Sequence, residues 1–285
     1  MKLCVSSGII ARPHEGPAAS FRESLVFLKE AGFEEIDYGF QTPALLRSDW
    51  KESFLSKLAE AKEEGVRIRF VHLPFDYPGA DSPYGWEEFF LASRRAIELA
   101  VLSGADAGAI HPRTVMTREY DRAREAEAAL AFLTPYRDLA KEAGLPLALE
   151  NMRGPGKSAD PAIRRFCTGT GDLVALADEL GIGICWDTGH ANISGQEQEE
   201  SLRMIGKRLL LVHINDNFAG DDVHIAPFLG NTDWASVARG LRAAGYRGSL
   251  NLEVTCSRLP EPLRPGYARY MASSARLLRR MIEEA

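Results

Sequence analysis

The stretch SFRESLVFLKEAGFEEIDY, residues 20–38, contains the unit from which the rest of the chain is built. Leu25 and Leu28 lie on one stripe, so the first half of the stretch predicts an amphipathic helix. Ser20 and Glu23 have the spacing of a capping box at the start of this helix. A glycine follows, and glycine ends helices because it adopts the left-handed conformation at no steric cost. The run EEIDY comes next and predicts a strand.

The same order of helix, glycine and strand recurs along the chain. Seven glycines, 25 to 40 residues apart, end helix-like segments: Gly32, Gly65, Gly104, Gly144, Gly181, Gly206 and Gly245. Near-continuous apolar runs follow several of them, as expected for parallel strands that are buried on both faces. A first strand over 2–7 and a last helix over 266–284 complete eight strand–helix units. Each unit averages about 36 residues, the size found in β/α barrels.

This rhythm predicts an α/β fold, a single (β/α)8 TIM barrel that spans residues 1–285 as one domain. The alternative is an open, doubly wound sheet. A G-x-G-x-x-G motif after the first strand would favour the dinucleotide-binding form of that sheet, and the sequence has none there.

Composition narrows the class of protein. The 285 residues are 45% hydrophobic and 26% charged, which is ordinary for a globular domain. No apolar stretch is long enough to span a bilayer, and no signal peptide is recognisable. The four scattered cysteines predict reduced thiols in a cytoplasmic protein. The net charge of −6 argues against nucleic acid as a partner, whereas a homo-oligomer is compatible with the sequence.

Each candidate strand from the third to the eighth ends on a residue that can bind a metal. These residues stand six to eight positions after the preceding glycine: His72, His111, Glu150, Asp187, His213 and Glu253. A near-constant offset predicts one structural level, which in a barrel is the C-terminal mouth that carries the active site. Further candidate ligands, or substrate contacts, lie in the adjoining loops: His190, Asp222 and His224.

A bound cation would explain this set of side chains. Three imidazoles and three carboxylates at one level, without partners, would be costly to desolvate and would repel one another. A divalent ion removes both problems. Mixed nitrogen and oxygen ligands suit Mn, Co, Zn, Fe or Mg and do not choose among them. We expect one ion per chain, although the number of candidate ligands leaves room for three.

Several short motifs resemble those of the xylose isomerase-like barrel superfamily, in particular its sugar phosphate isomerase/epimerase group. The matching stretches are HLPF (72–75), HP (111–112), LEN (149–151), CWDTGHAN (185–192), HINDN (213–217), D-x-H (222–224) and LE (252–253). Their order and spacing are together specific for the superfamily and much less specific for the reaction.

The resemblance implies a ligand set and a mechanism. Epimerases of this group hold one divalent ion through a Glu, an Asp, a His and a second Glu, which here implies Glu150, Asp187, His213 and Glu253. It also implies that Glu150 and Glu253 act as acid and base beside the carbonyl of a sugar or sugar phosphate, through a metal-stabilised enediolate. Return of the proton gives epimerisation or isomerisation, and loss of a β-hydroxyl gives dehydration, as in the related inosose dehydratases.

A second branch, the endonuclease IV family of apurinic-site nucleases, binds three zinc ions through nine ligands. A residue of the matching type stands at each of the nine positions: His72, His111, Glu150, Asp187, His190, His213, Asp222, His224 and Glu253. The surroundings depart from this pattern, because the segment after His72 is acidic and proline-rich where minor-groove loops need basic and wedge residues. We therefore expect an isomerase or epimerase, with the endonuclease and a related lyase as alternatives.

Arginines near the mouth are candidate substrate contacts. Arg113 follows His111, and Arg153 follows Glu150 at the end of the fifth strand. Either guanidinium can clamp a phosphate or a carboxylate. Lys157, in the loop GPGKS, is a further candidate. For each residue the alternative is a solvated loop side chain without such a role.

Overall fold

A computed structural model describes residues 1–9, 19–156, 159–256 and 259–285, so Lys157 lies outside the described residues. The strands are β1 (Leu3–Ser6), β2 (Glu35–Gly39), β3 (Arg67–His72), β4 (Ala107–Ile110), β5 (Leu147–Glu150), β6 (Gly183–Asp187), β7 (Leu209–His213) and β8 (Leu250–Leu252). The helices are α1 (Phe21–Ala31), α2 (Thr42–Leu46), α3 (Trp50–Glu64), α4 (Trp86–Ser103), α5 (Arg122–Ala143), α6 (Thr170–Leu180), α7 (Thr188–Ile193), α8 (Gln198–Ile205), α9 (Trp234–Ala243) and α10 (Arg264–Glu284).

The strands form a parallel sheet that closes on itself. Their order is β7-β6-β5-β4-β3-β2-β1-β8, and each neighbouring pair is parallel. The remaining seam, between β7 and β8, is bridged just beyond His213: Ile214 N donates to Asn251 O at 2.8 Å, and Glu253 N donates to Ile214 O at 3.1 Å. Helices surround the strands, and the prediction of a (β/α)8 barrel is confirmed.

Helix ends follow the sequence closely, with one exception. The capping box is present, because Ser20 Oγ accepts from Glu23 N at 3.2 Å and Glu23 Oε2 accepts from Ser20 N at 2.7 Å. Five of the seven predicted glycines cap helices in the left-handed conformation: Gly32, Gly65, Gly104, Gly144 and Gly181. Gly245 also adopts it, one residue after the C-cap Ala244 of α9. Gly206 differs, with φ 55° and ψ −130°, because the chain passes there from α8 directly into the 3₁₀ turn Gly206–Arg208.

Strand alternation separates the inside of the barrel from its outside. A small buried cluster gathers inward-facing strand residues: Cys4, Phe70, Ala107, Ala109, Ala148, Cys185 and Leu211. Trp186, next to Cys185, faces the helices instead, and its Nε1 donates to Gln198 Oε1 at 2.9 Å. Residues two positions further along the same strands therefore point inward at the mouth.

Two neighbouring leucines of α10 test how this helix packs against the barrel. Leu278 is fully buried there, whereas its neighbour Leu277 is 40% exposed. We expect Leu278→Ala to lower the free energy of unfolding by about 2–5 kcal/mol, because it leaves a cavity against the barrel. The matched Leu277→Ala should change it by less than about 1 kcal/mol. Urea unfolding followed by circular dichroism measures both, and equal losses would contradict the arrangement of this helix.

Candidate metal centre

The strand ends bring the predicted ligands to one place at the mouth of the barrel. His72, Glu150, Asp187 and His213 are the last residues of β3, β5, β6 and β7. His111 and Glu253 follow β4 and β8 by one residue, so these two strands end slightly earlier than predicted. The shift leaves both side chains in the cluster, as the distances below show.

Glu150 lies at the middle of this cluster and is only 1% exposed. Its Oε2 lies 3.3 Å from His72 Nε2, 3.3 Å from His111 Nε2 and 3.2 Å from His213 Nδ1. Its Oε1 lies 3.3 Å from His190 Nδ1. Burial raises the pKa of Glu150, but the imidazoles, led by His213 and His111, lower it well below its usual range.

Four ligand atoms fit a single cation. Glu150, Asp187, His213 and Glu253 each offer one atom, and these atoms lie within 4.8 Å of one another. His213 Nδ1 and Glu253 Oε2 are 3.3 Å apart and buried, yet neither has a hydrogen-bond partner among the described residues. Once deprotonated, the imidazole nitrogen and the carboxylate oxygen both offer a lone pair toward the same point, a geometry that a divalent ion satisfies. The donor set therefore fits a metal ion.

A second group of potential ligands adjoins the first. Asp222 Oδ2 lies 3.2 Å from His190 Nε2 and 3.4 Å from His224 Nε2, and the three residues form a separate potential cation site. Burial lowers the pKa of His224, but the charges of Glu253 and Asp222 raise it to about 10. For Asp222 the directions are reversed: burial raises the pKa of this carboxyl, but its hydrogen bonds to His190 and His224 lower the pKa below its usual range.

The charges and the burial of the cluster shift the pKa values of its own members. Burial lowers the pKa of His213, but the surrounding anionic groups, Glu150 and Glu253 among them, raise it well above its usual value. Burial raises the pKa of Asp187 to about 7. For Glu253 burial acts in the same direction, but His213 and His224 lower the pKa to about 2. A cation that binds here must therefore displace protons, since ligands bind metals in their deprotonated form.

Side chains that the sequence prediction missed hold these ligands in position. Asn215 Nδ2 donates to Asp187 Oδ2 at 2.7 Å. Asp37, on β2, lies with its Oδ2 3.4 Å from His213 Nε2 and accepts from Asn251 Nδ2 at 2.6 Å. Because Asp37 contacts Nε2, the other ring nitrogen of His213, Nδ1, is directed at the two glutamates. Carboxylates commonly orient metal-binding histidines in this way.

Asp216 organises the loop that carries Asp222 and His224. This carboxylate is fully buried and accepts four hydrogen bonds of 2.9–3.1 Å, from Asn217 N, Gly230 N, Thr232 N and Trp234 Nε1. The backbone of Asp216 also pairs with Ile225 in both directions. The single residue Asp216, which follows β7, thus fixes both ends of a long loop. The HINDN motif alone did not indicate this role.

A cavity of about 600 Å³ opens beside the cluster, on the side of β1, β2 and β3. Residues lining it include Asp37, Tyr38, Lys57, His72 and Glu253. The cavity therefore leads from aromatic and polar walls directly to the candidate ligands.

The predicted substrate arginines lie on the other side of the mouth. Arg113 is exposed, and its guanidinium carbon lies 4.4 Å from the centre of the Trp86 ring, a cation–π contact. Arg153 has its Nε 3.8 Å from Asp222 Oδ2, next to the second group of ligands. Substrate binding by either residue stays a prediction.

Comparison with known proteins agrees with the fold. The family model described as "Xylose isomerase-like TIM barrel" matches residues 25–281. Matching curated relatives are uncharacterized proteins of Sinorhizobium fredii, Methanocaldococcus jannaschii and Mycobacterium leprae, and the matched segments cover only 25%, 39% and 61% of their lengths. Among the described residues, no helix combines the length and apolar character needed to cross a membrane.

Solved structures match over nearly the whole chain. A D-tagatose 3-epimerase-like protein has 20% identity and a TM-score of 0.73, with 100% of this chain and 99% of that chain covered. D-psicose 3-epimerase of Clostridium cellulolyticum, solved with D-tagatose, has 15% identity and a TM-score of 0.71, with 98% and 99% covered. The IOLI protein, solved with a zinc atom, has 15% identity and a TM-score of 0.72, with 100% and 99% covered. Similarity at these identities establishes the fold.

A substitution at Gly189 tests how Asn215 holds Asp187 in position. A Cβ added there would overlap Asn215 Oδ1 and come within 2.9 Å of Asn217 Nδ2. We expect Gly189→Ala to displace Asn215 from Asp187 and to weaken metal binding by about 10–100-fold, the usual effect of disturbing an outer partner. Isothermal titration with Mn²⁺ measures this. The control Gly171→Ala, where a Cβ meets open space, should bind like the wild type. Equal affinities would show that Asn215 does not position Asp187.

Proposed function

The chain belongs to the xylose isomerase-like TIM barrel family, and we propose that it is a metal-dependent sugar isomerase or epimerase. Residues 1–285 act as one barrel domain with one divalent ion per chain. Glu150, Asp187, His213 and Glu253 hold the ion, and Glu150 and Glu253 exchange protons with the substrate.

The placement of two glutamates around one imidazole nitrogen carries the proposal. Oxygens of Glu150 and Glu253 lie 3.2 and 3.3 Å from His213 Nδ1. The two carboxylates come from β5 and from the end of β8, three strands apart around the ring. They therefore approach the centre of the mouth from different directions, which is what removal of a proton on one side and its return on the other requires.

The reaction follows from this placement. A divalent ion, when bound, supplies the positive charge that stabilises an enediolate. One glutamate removes the proton from the carbon next to the carbonyl, and the other glutamate donates a proton. Donation to the opposite face of the same carbon gives epimerisation, and donation to the neighbouring carbon gives isomerisation. His72 and His111, which face Glu150, can orient that carboxylate or donate to substrate oxygens.

Two observations support a sugar as the substrate. The cavity beside Glu253 measures about 600 Å³, within the usual range of small-molecule sites, and its walls carry both polar and aromatic residues. Among the solved proteins with this fold are a D-tagatose 3-epimerase-like protein and a D-psicose 3-epimerase.

An endonuclease IV-like phosphodiesterase with three zinc ions is the alternative function. The second group of ligands, His190, Asp222 and His224, favours it, because it lies next to the first group and can hold another cation. The net charge of −6 argues against a DNA partner. A dehydratase-like lyase would use the same glutamates with loss of a β-hydroxyl.

The glutamates provide the test of the mechanism. We expect wild-type protein in D₂O to introduce deuterium at the carbon next to the carbonyl of a ketose, detected by NMR over a panel of ketoses and inososes. Glu150→Gln and Glu253→Gln should each lower turnover by about 10²–10⁴-fold, because positioned acid–base groups contribute this much. The control Glu200→Gln, on the exposed face of α8, should keep full turnover.

Two measurements separate this function from its alternative. One metal ion per chain, determined on protein purified without added ions, agrees with the isomerase, and three zinc ions agree with the nuclease. Absence of both exchange and conversion over the whole panel, together with cleavage of DNA at an abasic site, would overturn the proposal.

A further inference from the structure

Arg165 is a half-buried cation near the mouth that forms no ion pair with a carboxylate of the described residues. It lies on the loop that joins β5 to α6, outside the motifs described above. Its Nε donates to Thr114 Oγ1 at 3.0 Å, and its Nη1 lies 3.5 Å from Arg153 O. Among the described residues no carboxylate pairs with its guanidinium, and its Nη2 group has no partner. At least two of its N–H groups therefore remain for a ligand.

The backbone on each side of Arg165 is fixed. Arg164 pairs with Thr117 through two hydrogen bonds of 2.9 Å, one in each direction. Cys167 O accepts from Met152 N at 2.9 Å, which ties the end of this segment back to the end of β5. The guanidinium thus stands in a prearranged position, and prearranged groups lose little freedom when they bind.

Arg153 is a second arginine in this region, and its backbone carbonyl accepts from Arg165 Nη1. Its Nε is 3.8 Å from Asp222 Oδ2, but this carboxylate is already shared with His190 and His224. Burial lowers the pKa of Arg165, and repulsion by Arg153 lowers it further. The two guanidiniums are therefore close enough to repel each other, and the charge of Glu150, in the candidate metal centre, acts on Arg165 in the opposite direction.

We infer that Arg153 and Arg165 bind an anionic group of the substrate, a phosphate or a carboxylate. Guanidinium groups match the oxygens of both anions with paired, charge-assisted hydrogen bonds. The inference rests on the proposed function, since it makes the substrate a sugar phosphate or a sugar acid rather than a neutral sugar. It adds Arg165 as a specificity-determining residue to the predicted contact Arg153, and it leaves Arg113 on the Trp86 ring outside the anion site.

Titration calorimetry on the Mn²⁺-loaded protein tests this inference. The probes are inorganic phosphate, D-gluconate as a sugar carboxylate, and D-glucitol as a neutral sugar alcohol. We expect wild-type protein to prefer one anionic probe to D-glucitol, and Arg165→Met to weaken binding of that probe about tenfold or more. Arg153→Met should weaken it in the same direction. The control Arg118→Met removes an exposed guanidinium that pairs with Asp160, and it should bind like the wild type.

The outcomes distinguish a phosphate from a carboxylate, and they include results that would overturn the inference. Arginine-dependent binding of phosphate assigns a phosphorylated substrate, and arginine-dependent binding of D-gluconate assigns a sugar acid. The inference is overturned if no anionic probe binds better than D-glucitol, or if both arginine variants bind as the wild type does. Thermal unfolding separates a packing role, because the anion should raise the melting temperature of wild-type protein and not of Arg165→Met. Deuterium exchange is measured independently, so loss of the anion site does not imply loss of the proposed reaction.

Discussion

A buried carboxylate surrounded by four imidazoles is the constraint on which the mouth of this barrel depends. Glu150 is almost inaccessible to solvent, and nitrogens of His72, His111, His190 and His213 lie within 3.3 Å of it. An unpaired charge in such a place would cost several kcal/mol. The histidines, which lie at the ends of three further strands and on one helix, therefore have to reach the same point, and protons or a cation have to balance the charge.

The closed sheet meets this requirement through strand register. Asp187 pairs with His213 across β6 and β7, so these two side chains leave the sheet at one level. Glu150 pairs with Cys185, two residues earlier on β6, and reaches the cluster from slightly lower in the barrel. Small inward residues such as Ala148 and Cys185 fill the space beneath. The stagger of the strands thus converts ligands that are far apart in sequence into a compact shell around one position.

Much of this arrangement can be predicted from local sequence because it rests on local rules. Glycines after helices and apolar runs after glycines indicate the strands, and the polar residues at a near-constant distance from those glycines indicate the candidate ligands. Gly206 departed from the rule because the helix runs on into a 3₁₀ turn there. Asp37 was missed because it precedes the end of its strand by two residues, below the level at which the candidate ligands occur. Arg165 was missed because only the fold of a long loop brings it to the mouth.

The pairing of the first strand with the last has a consequence for assembly during synthesis. Leu250 N donates to Lys2 O at 2.9 Å, and β1 lies between β2 and β8 in the sheet. One edge of β1 therefore stays without its neighbour until Leu250–Leu252 has left the ribosome, because chains emerge from the N-terminus onward. Glu253 is the next residue to emerge. The fourth candidate ligand of the proposed cation therefore reaches its place only with the strand that closes the barrel, so completion of the ligand set and closure of the sheet depend on the same short segment.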